Sequence, residues 1–267
     1  TGSFLLSGDK LSFLISLLAV IWKGHQGEKL SQAERSVLSM LIPRFYKAFE
    51  EQKQQEVPRL ISFYRWLEHY SREEKGKEGF EKILANFDLD QLMITLQPFA
   101  EGEYRDVLSA ESSLDLSSYP LLCFDMARIK SSPMLYPIIS LIITELALDQ
   151  IRAFPDSRKF IYMDEAWSML SDSMGEFVEH MYRTVRKNNG SMCIITQGIT
   201  EITASSVGAA IIANAATQII LYHTDPTQID KVSTAFGFTD HEKAKIRSLR
   251  LHKSLSLIHI SEPTRHR

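Results

Sequence analysis

Two adjacent carboxylates follow a short apolar run near the middle of the chain. The segment Lys159–Trp167 reads KFIYMDEAW, and its run FIYM is followed directly by Asp164 and Glu165. In open α/β sheets ligands bind beyond the carboxyl ends of the strands, so a strand ending here would direct Asp164 at a crevice. A carboxylate there can hold a water bound to Mg²⁺, and Glu165 can polarise a water that attacks a phosphate. The alternative interpretation is a strand followed by a solvated acidic turn.

A glutamine follows the next apolar run, MCIIT, at Gln197. The ends of adjacent strands in a parallel sheet lie side by side, so Gln197 would lie near Glu165. An amide in that position can contact a terminal phosphate or orient the attacking water. The alternative is a loop residue that caps the following helix.

Two arginines lie between these runs, in the segment YRTVRKNNG. Arg183 and Arg186 are three positions apart and would share one face of a helix. Guanidinium groups can stabilise charge on a transferring phosphoryl group, also across a subunit boundary. The alternative is a basic helix end that is favoured by the helix dipole.

The first 110 or so residues show helical periodicity and no convincing strand. Ser31 and Glu34 form a capping-box pattern, and a break is expected near Asp88. The helices that we predict are Asp9–Ile21, Ser31–Phe49, Arg59–His69 and Phe80–Phe99, with a solvated helix end and loop over the charged run SREEKGKEG.

Short apolar runs alternate with helices after that region. The predicted strands are Pro120–Met126, Phe160–Met163, Met192–Thr196 and Gln218–Tyr222, and the predicted helices are Pro133–Phe154, Met174–Lys187 and one or two within Thr227–Arg250. This alternation predicts βαβ units and a parallel sheet that is buried on both faces. We therefore expect a helical subdomain over residues 1–115 and an α/β core over residues 116–253.

The overall composition is that of an ordinary globular protein. The 267 residues carry a net charge of −3 and have a pI near 6.2, which argues against a nucleic-acid binder held by bulk charge. A local basic lining could still contact DNA. The two cysteines, Cys123 and Cys193, lie in apolar runs and are predicted to be buried thiols in a reducing compartment.

The order of the motifs YMDEAWSML, RTVRKNNG and ITQ resembles the C-terminal ATPase domain of the VirB4/TraC family, which includes the TraG-type ATPases of conjugative elements. The stretches LQPFAEGEYRDVLSAESSLDL and PLLCFDMARIK are similar to the same family, and the leading helices match its inserted all-helical subdomain. The resemblance implies an α/β fold: a RecA-like P-loop NTPase core, with a parallel sheet flanked by helices.

The resemblance also implies roles for individual residues. Asp164 and Glu165 correspond to the Walker B pair, with Mg²⁺ held by Asp164 through a water, and Gln197 corresponds to the sensor glutamine. Arg186 and Lys187 match the family's basic motif; we expect Arg186 to act as an arginine finger, and Lys187 and Arg183 to contact the nucleotide. ATP and Mg²⁺ are the implied ligands. The implied partners are further copies in a ring, expected to be a hexamer, secretion-channel subunits at the inner membrane, and DNA.

One motif of the family does not occur in the sequence, which contains no G-x-x-x-x-G-K-[ST]. The family's phosphate loop lies N-terminal to the helical insertion, so we expect the natural chain to begin upstream of Thr1. These residues alone are then expected to bind and hydrolyse ATP poorly. The segment 254–267 resembles a translated sequencing adapter and is expected to be non-native.

These observations predict a cytoplasmic motor, peripheral to the bacterial inner membrane, that hydrolyses ATP to drive assembly of, or transfer through, a type IV secretion or conjugation apparatus. A DNA translocase of the FtsK/HerA or coupling-protein type is the first alternative, since it shares this core. A non-catalytic ATPase-like scaffold is the second, and the missing phosphate loop supports it.

Overall fold

The structure is a computed structural model that describes residues 6–24, 28–52, 57–109, 119–164, 181–182, 184–205, 208–223, 225–249 and 254–258. The chain divides into two compact units, residues 1–145 and 146–267. The division falls inside the helix α7 (Leu135–Ala153). The predicted boundaries at residues 115 and 253 stay predictions.

The first unit is helical, as predicted, throughout its described residues before 110. Its helices are α1 (Gly8–Trp22), α2 (Gln32–Glu51), α3 (Leu60–Glu74), α4 (Glu78–Leu84), α5 (Leu89–Ala100) and α6 (Arg105–Leu108). Leucine and phenylalanine side chains at helical spacing form its core, and the fully buried ones include Leu38, Leu67, Leu92, Leu96 and Phe99. The charged run SREEKGKEG is more ordered than predicted, because α3 continues through it to Glu74 and α4 begins at Glu78.

Side-chain caps begin two of these helices as the sequence predicts. The Glu34 N–H donates to Ser31 Oγ at 3.2 Å, and the Ser31 N–H donates to Glu34 Oε2 at 2.7 Å, which completes the capping box. The Gln91 N–H donates to Asp88 Oδ1 at 2.8 Å, so the predicted break near Asp88 is the start of α5.

The predicted strand Pro120–Met126 is wrong. Its residues form neither helix nor strand, and Leu121 is 83% exposed. Apolar composition alone does not make a strand, since the backbone N–H and C=O groups also need a neighbouring strand to pair with. Asp125 instead accepts a hydrogen bond from the Ala127 N–H at 2.9 Å, at the start of a turn.

Two strand pairs lie in the described part of the second unit. The strands β1 (Lys159–Met163) and β2 (Gly190–Ile194) pair in parallel, which confirms the predicted relation between them. The strand β3 (Thr217–Leu221) pairs instead with β4 (Ser254–Ile258), and the two are antiparallel. The strand β4 belongs to the segment expected to be non-native, and that expectation stays a prediction.

Helices connect and follow these strands. They are α8 (Ile199–Thr203), α9 (Gly208–Asn214), α10 (Pro226–Phe236) and α11 (Asp240–Arg247). Buried Ile199, Ile202, Ile211, Ile220, Ile229, Val232 and Ile246 form one cluster, called the isoleucine cluster below. Met192 and Ile194 of β2 pack against it, so one face of the parallel pair is covered.

The other face of the parallel pair is exposed, so the prediction of a sheet buried on both faces is wrong for the described strands. Phe160 is 66% exposed and Tyr162 is 69% exposed, while Ile161 between them is partly buried. Successive side chains of a strand point to opposite faces, and only one face has a packed cluster against it. Cys193 pairs with Tyr162 in the register and is exposed, as is Cys123; neither is the buried thiol that was predicted.

An ion pair joins the end of α1 to the start of α2. The Lys23 Nζ lies 2.8 Å from Glu34 Oε1, and Glu34 is only 9% exposed. Burial is the largest influence on Glu34 and acts to raise its pKa. Hydrogen bonds from Lys23 and Ser31 outweigh burial, and they hold the pKa below its usual value. A carboxyl whose pKa is lowered by folding stabilises the fold above its unfolded pKa and loses that contribution as the pH falls.

We predict that Glu34→Gln lowers the free energy of unfolding at pH 7 by about 1–3 kcal/mol, because it removes the charged acceptor of both bonds. The loss should shrink as the pH falls below about 4.3, the ordinary pKa of a glutamate, because the charged carboxylate then contributes progressively less to the stability of the wild type. Urea unfolding at pH 7, 5 and 3.5 measures this difference. Glu51→Gln, at an exposed position at the end of α2, is the matched control. An equal loss at all three pH values would contradict the assigned role of the carboxylate charge.

Candidate functional site

The carboxyl ends of β1 and β2 lie side by side. Met163 is opposite Ile194 in the register, and the Ile195 N–H donates to the Met163 carbonyl oxygen at 2.9 Å. Asp164 follows directly after β1, at this end of the pair, and is exposed. Glu165 lies outside the described residues. The strand end that the sequence predicted to hold Mg²⁺ therefore carries an exposed carboxylate, Asp164.

The loop that carries Gln197 leaves β2 at the same end. The Thr196 hydroxyl donates to the Gly198 carbonyl oxygen at 3.1 Å and lies 3.4 Å from the Gly198 amide nitrogen, so this side chain closes the turn. Gln197 itself is exposed. The N-cap of α8 is Gly198 rather than Gln197, which argues against the alternative that Gln197 serves as that N-cap. The structure thus brings Asp164 and Gln197 to one end of the sheet.

Apolar side chains anchor the Gln197 loop on both sides. Ile194, before the loop, packs against the isoleucine cluster, and Ile199, after it, is a buried member of that cluster. The short segment between them therefore has little freedom to move away from the strand end. Tyr182 packs against the same cluster, and its burial raises the pKa of the phenol well above its usual value, so it stays neutral.

Arg186 and Lys187 lie at the opposite end of the strand pair. They belong to a 3-10 turn, Val185–Asn188, that leads into β2, and both side chains are exposed. Gly190 at the start of β2 pairs with Lys159 at the start of β1. With a rise of roughly 3.3 Å per residue, about 17 Å of strand separates this end from Asp164. The structure therefore does not bring Arg186 and Lys187 together with Asp164 and Gln197. Arg183 lies outside the described residues.

Hydrogen bonds from two side chains attach this basic turn to the start of β1 and to the segment before it. The Lys159 Nζ donates to the Asn188 carbonyl oxygen at 3.1 Å, and the Asn189 Nδ2 donates to the Pro155 carbonyl oxygen at 3.0 Å. Asn189 has a positive φ of 55°, a left-handed conformation that ends the helical turn. The pattern Asn-Asn-Gly predicts that ending. Nothing in the sequence singled out Lys159, because its partner lies about thirty positions away.

The donor groups for a metal are sparse in the described part of the chain. No cluster of three or more His, Cys, Asp or Glu side chains forms there. No helix among the described residues is long and apolar enough to span a membrane.

The fold and its likeness to known proteins define the class of this protein. The parallel strand pair packed against helices belongs to an α/β fold of the P-loop NTPase type. The solved structure of VirB4 of Thermoanaerobacter pseudethanolicus has this fold, with a TM-score of 0.67 at 15% identity, covering 95% of this chain and 69% of that one. The sequence model of the TraG P-loop domain matches residues 4–258, and the chain belongs to that family.

Curated proteins of Brucella abortus and Escherichia coli are similar in sequence to parts of this chain. The type IV secretion system protein virB4 of Brucella abortus is 34% identical over 96 residues, which is 35% of this chain and 11% of that protein. Protein TraC of Escherichia coli is 26% identical over 141 residues, 50% of this chain and 16% of TraC. The matched part therefore spans less than a fifth of the length of either relative.

We predict that Gly190→Ala destabilises the second unit, because Gly190 lies in close contact with the basic turn. An added Cβ would lie 2.4 Å from Val185 Cγ2 and 3.0 Å from the Val185 carbonyl oxygen. Such overpacking typically costs about 1–3 kcal/mol. Gly79→Ala in α4, where an added Cβ has nothing within 4 Å, is the control. Thermal unfolding measures both variants, and a wild-type Tm for Gly190→Ala would contradict the close packing.

Proposed function

We propose that this chain carries the metal-binding and water-activating side of an ATP hydrolysis site. The observation that carries the proposal is the parallel register of β1 and β2, which puts Asp164 and the Gln197 loop at one end of the sheet. Ligands of α/β sheets bind at that end. Similarity to the type IV secretion system protein virB4 supports the further proposal that hydrolysis drives assembly of, or transfer through, a type IV secretion apparatus.

Each residue at this strand end has a defined task in hydrolysis. Asp164 would hold Mg²⁺ through a coordinated water, and the ion would supply positive charge against the phosphate oxygens. Glu165, next in the sequence, takes the proton of the attacking water. The Gln197 amide donates to the terminal phosphate or orients that water. The exposure of Asp164 supports this assignment, since Mg²⁺ is usually bound by one or two carboxylates together with waters and phosphates.

Arg186 and Lys187 act on the nucleotide of a neighbouring copy. The strand length of about 17 Å between them and Asp164 is too great for an arginine to serve both ends of one sheet. We therefore propose that the chain forms a homo-oligomer, and specifically a hexameric ring. In it, Arg186 stabilises the charge of the transferring phosphoryl group and Lys187 contacts the phosphates. Arg183 remains a third candidate contact. The other proposed partners are secretion-channel subunits, with the oligomer on the cytoplasmic side of the inner membrane.

A DNA translocase is the second candidate function. The observation that favours it is the exposed basic turn, because an exposed arginine and lysine can also contact a phosphate backbone. Strong stimulation of ATP hydrolysis by DNA would support the translocase. A scaffold without catalytic activity is the third candidate, and complete absence of hydrolysis in the full-length gene product would support it.

We predict that Glu165→Gln lowers kcat for ATP hydrolysis by about 100-fold or more, because the amide cannot accept the proton of the attacking water. The Kd for a fluorescent ATP analogue should not change, since Glu165 is not assigned to binding. The full-length gene product is assayed, because the 267 residues contain no phosphate loop. Glu78→Gln, an exposed position in α4, is the control. Undiminished hydrolysis by Glu165→Gln would refute the assignment.

We also predict that two inactive variants restore activity when they assemble together. Arg186→Ala lacks the finger and Glu165→Gln lacks the base, but a mixed oligomer contains interfaces in which an intact Glu165 meets an intact Arg186. Co-expression with two different affinity tags isolates the mixed oligomers for the ATPase assay. Mixing Glu165→Gln with the double variant Glu165→Gln/Arg186→Ala is the control and should give no recovery. Failure of the first mixture to recover would mean that Arg186 does not act on a neighbouring copy.

A further inference from the structure

The turn that carries Arg186 is attached to the chain at more points than its conformation requires. A left-handed residue is enough to end a helical turn, and glycine serves that purpose at least as well as asparagine. The residue present is Asn189, whose side chain reaches the Pro155 carbonyl oxygen 34 positions earlier in the sequence. Its backbone carbonyl oxygen also accepts from the Lys159 N–H at 3.1 Å.

Lys159 makes the second attachment. Its ammonium group donates to the Asn188 carbonyl oxygen, 29 positions away, in a partly buried contact. The same residue pairs with Gly190 at the first position of β1. The turn is closed from within as well, since Asn188 Nδ2 donates to the Thr184 carbonyl oxygen at 3.3 Å. The backbone on which Arg186 sits is therefore fixed to the strand pair itself.

A fixed backbone matters most for a long side chain that must reach an external target. An exposed arginine loses side-chain freedom when it binds, and any freedom of the turn would add to that cost. Small displacements of a group that contacts a reacting phosphate strongly reduce its effect on the rate. Attachment of the turn to β1 removes the part of this entropy loss that would come from ordering the backbone on binding.

We propose that Lys159 and Asn189 are positioning residues. They hold the Val185–Asn188 turn so that Arg186 contacts the nucleotide phosphate of a second copy of this chain. This inference rests on the proposed function, in which Arg186 acts across a subunit boundary. It adds two residues that do not touch the nucleotide and act only through Arg186.

Two conservative variants test the inference in the full-length gene product. Asn189→Gly keeps the left-handed conformation and removes the bond to Pro155, and Lys159→Met keeps the aliphatic stem and removes the bond to Asn188. Each is expected to lower kcat by roughly 3- to 10-fold, the effect of one lost hydrogen bond, without a change in KM for ATP. Lys245→Met, at an exposed position in α11, is the control and should retain wild-type kcat.

A double-mutant cycle separates positioning from general structure. In an Arg186→Ala background, Asn189→Gly and Lys159→Met should lower kcat no further, because they act through a side chain that is already missing. A further loss of the same size in that background would overturn the inference, since it would show a role independent of Arg186.

Amide hydrogen exchange tests the attachment without ATP hydrolysis. Asn189→Gly should speed exchange at the amide of residue 189, which donates to the Arg186 carbonyl oxygen at 3.3 Å, and leave exchange at Met192 in β2 unchanged. Unchanged exchange at residue 189 would overturn the positioning role even if the protein hydrolyses ATP. Faster exchange in a protein whose wild type lacks ATPase activity would instead refute the proposed function, and with it the catalytic purpose of the attachment.

Discussion

The parallel pairing of β1 with β2 determines where the candidate functional residues of the second unit lie. Its register runs from Lys159 opposite Gly190 to Met163 opposite Ile194, so both strands begin at one end and finish at the other. Asp164 follows the end of β1 and the Gln197 loop follows the end of β2, whereas the basic turn precedes the start of β2. A shift by one residue would turn Met192 and Ile194 away from the isoleucine cluster, so the packing that stabilises the unit also fixes the register.

Apolar packing also explains how the exposed Gln197 loop can keep a defined position. Ile194 and Ile199, on its two sides, belong to or pack against one cluster together with residues of α10 and α11. Burial of an isoleucine side chain contributes about 1.5–3 kcal/mol, so moving the loop as a whole away from the cluster would destabilise the unit. Rotation of the Gln197 side chain costs far less. On the proposed function, Gln197 would respond to a phosphate by changing its rotamer while the backbone of the loop stays attached to the core.

Much of this arrangement could be predicted from local patterns. Helical periodicity and the Ser31 capping box identified the first unit, and the apolar runs before Asp164 and Gln197 identified two neighbouring parallel strands. The interpretation of Pro120–Met126 as a strand was wrong because an apolar run does not reveal whether a partner strand exists. The exposed face of β1 was not predicted for the same reason. An apolar run such as FIYM fits a strand with one buried face as well as a strand with two. The role of Lys159 depends on a contact with Asn188 that no local pattern contains.

The two ends of the parallel strand pair carry side chains of opposite charge. On the proposed function, a nucleotide would bring several negative charges to the strand end that carries the exposed Asp164, and neighbouring like charges repel each other. Mg²⁺ would offset part of this repulsion, and further cations would be required near the terminal phosphate as its charge shifts during transfer. The exposed turn at the opposite end offers an arginine and a lysine, but its distance of about 17 Å prevents them from reaching their own strand end. On the proposed function, contact between the acidic end of one copy and the basic end of the next would satisfy both needs. Such a contact joins different surfaces of identical chains, and it generates a closed ring when the rotation between successive copies closes. On the proposed function, the polarity of one short parallel strand pair is thus a physical reason for the protein to assemble with itself.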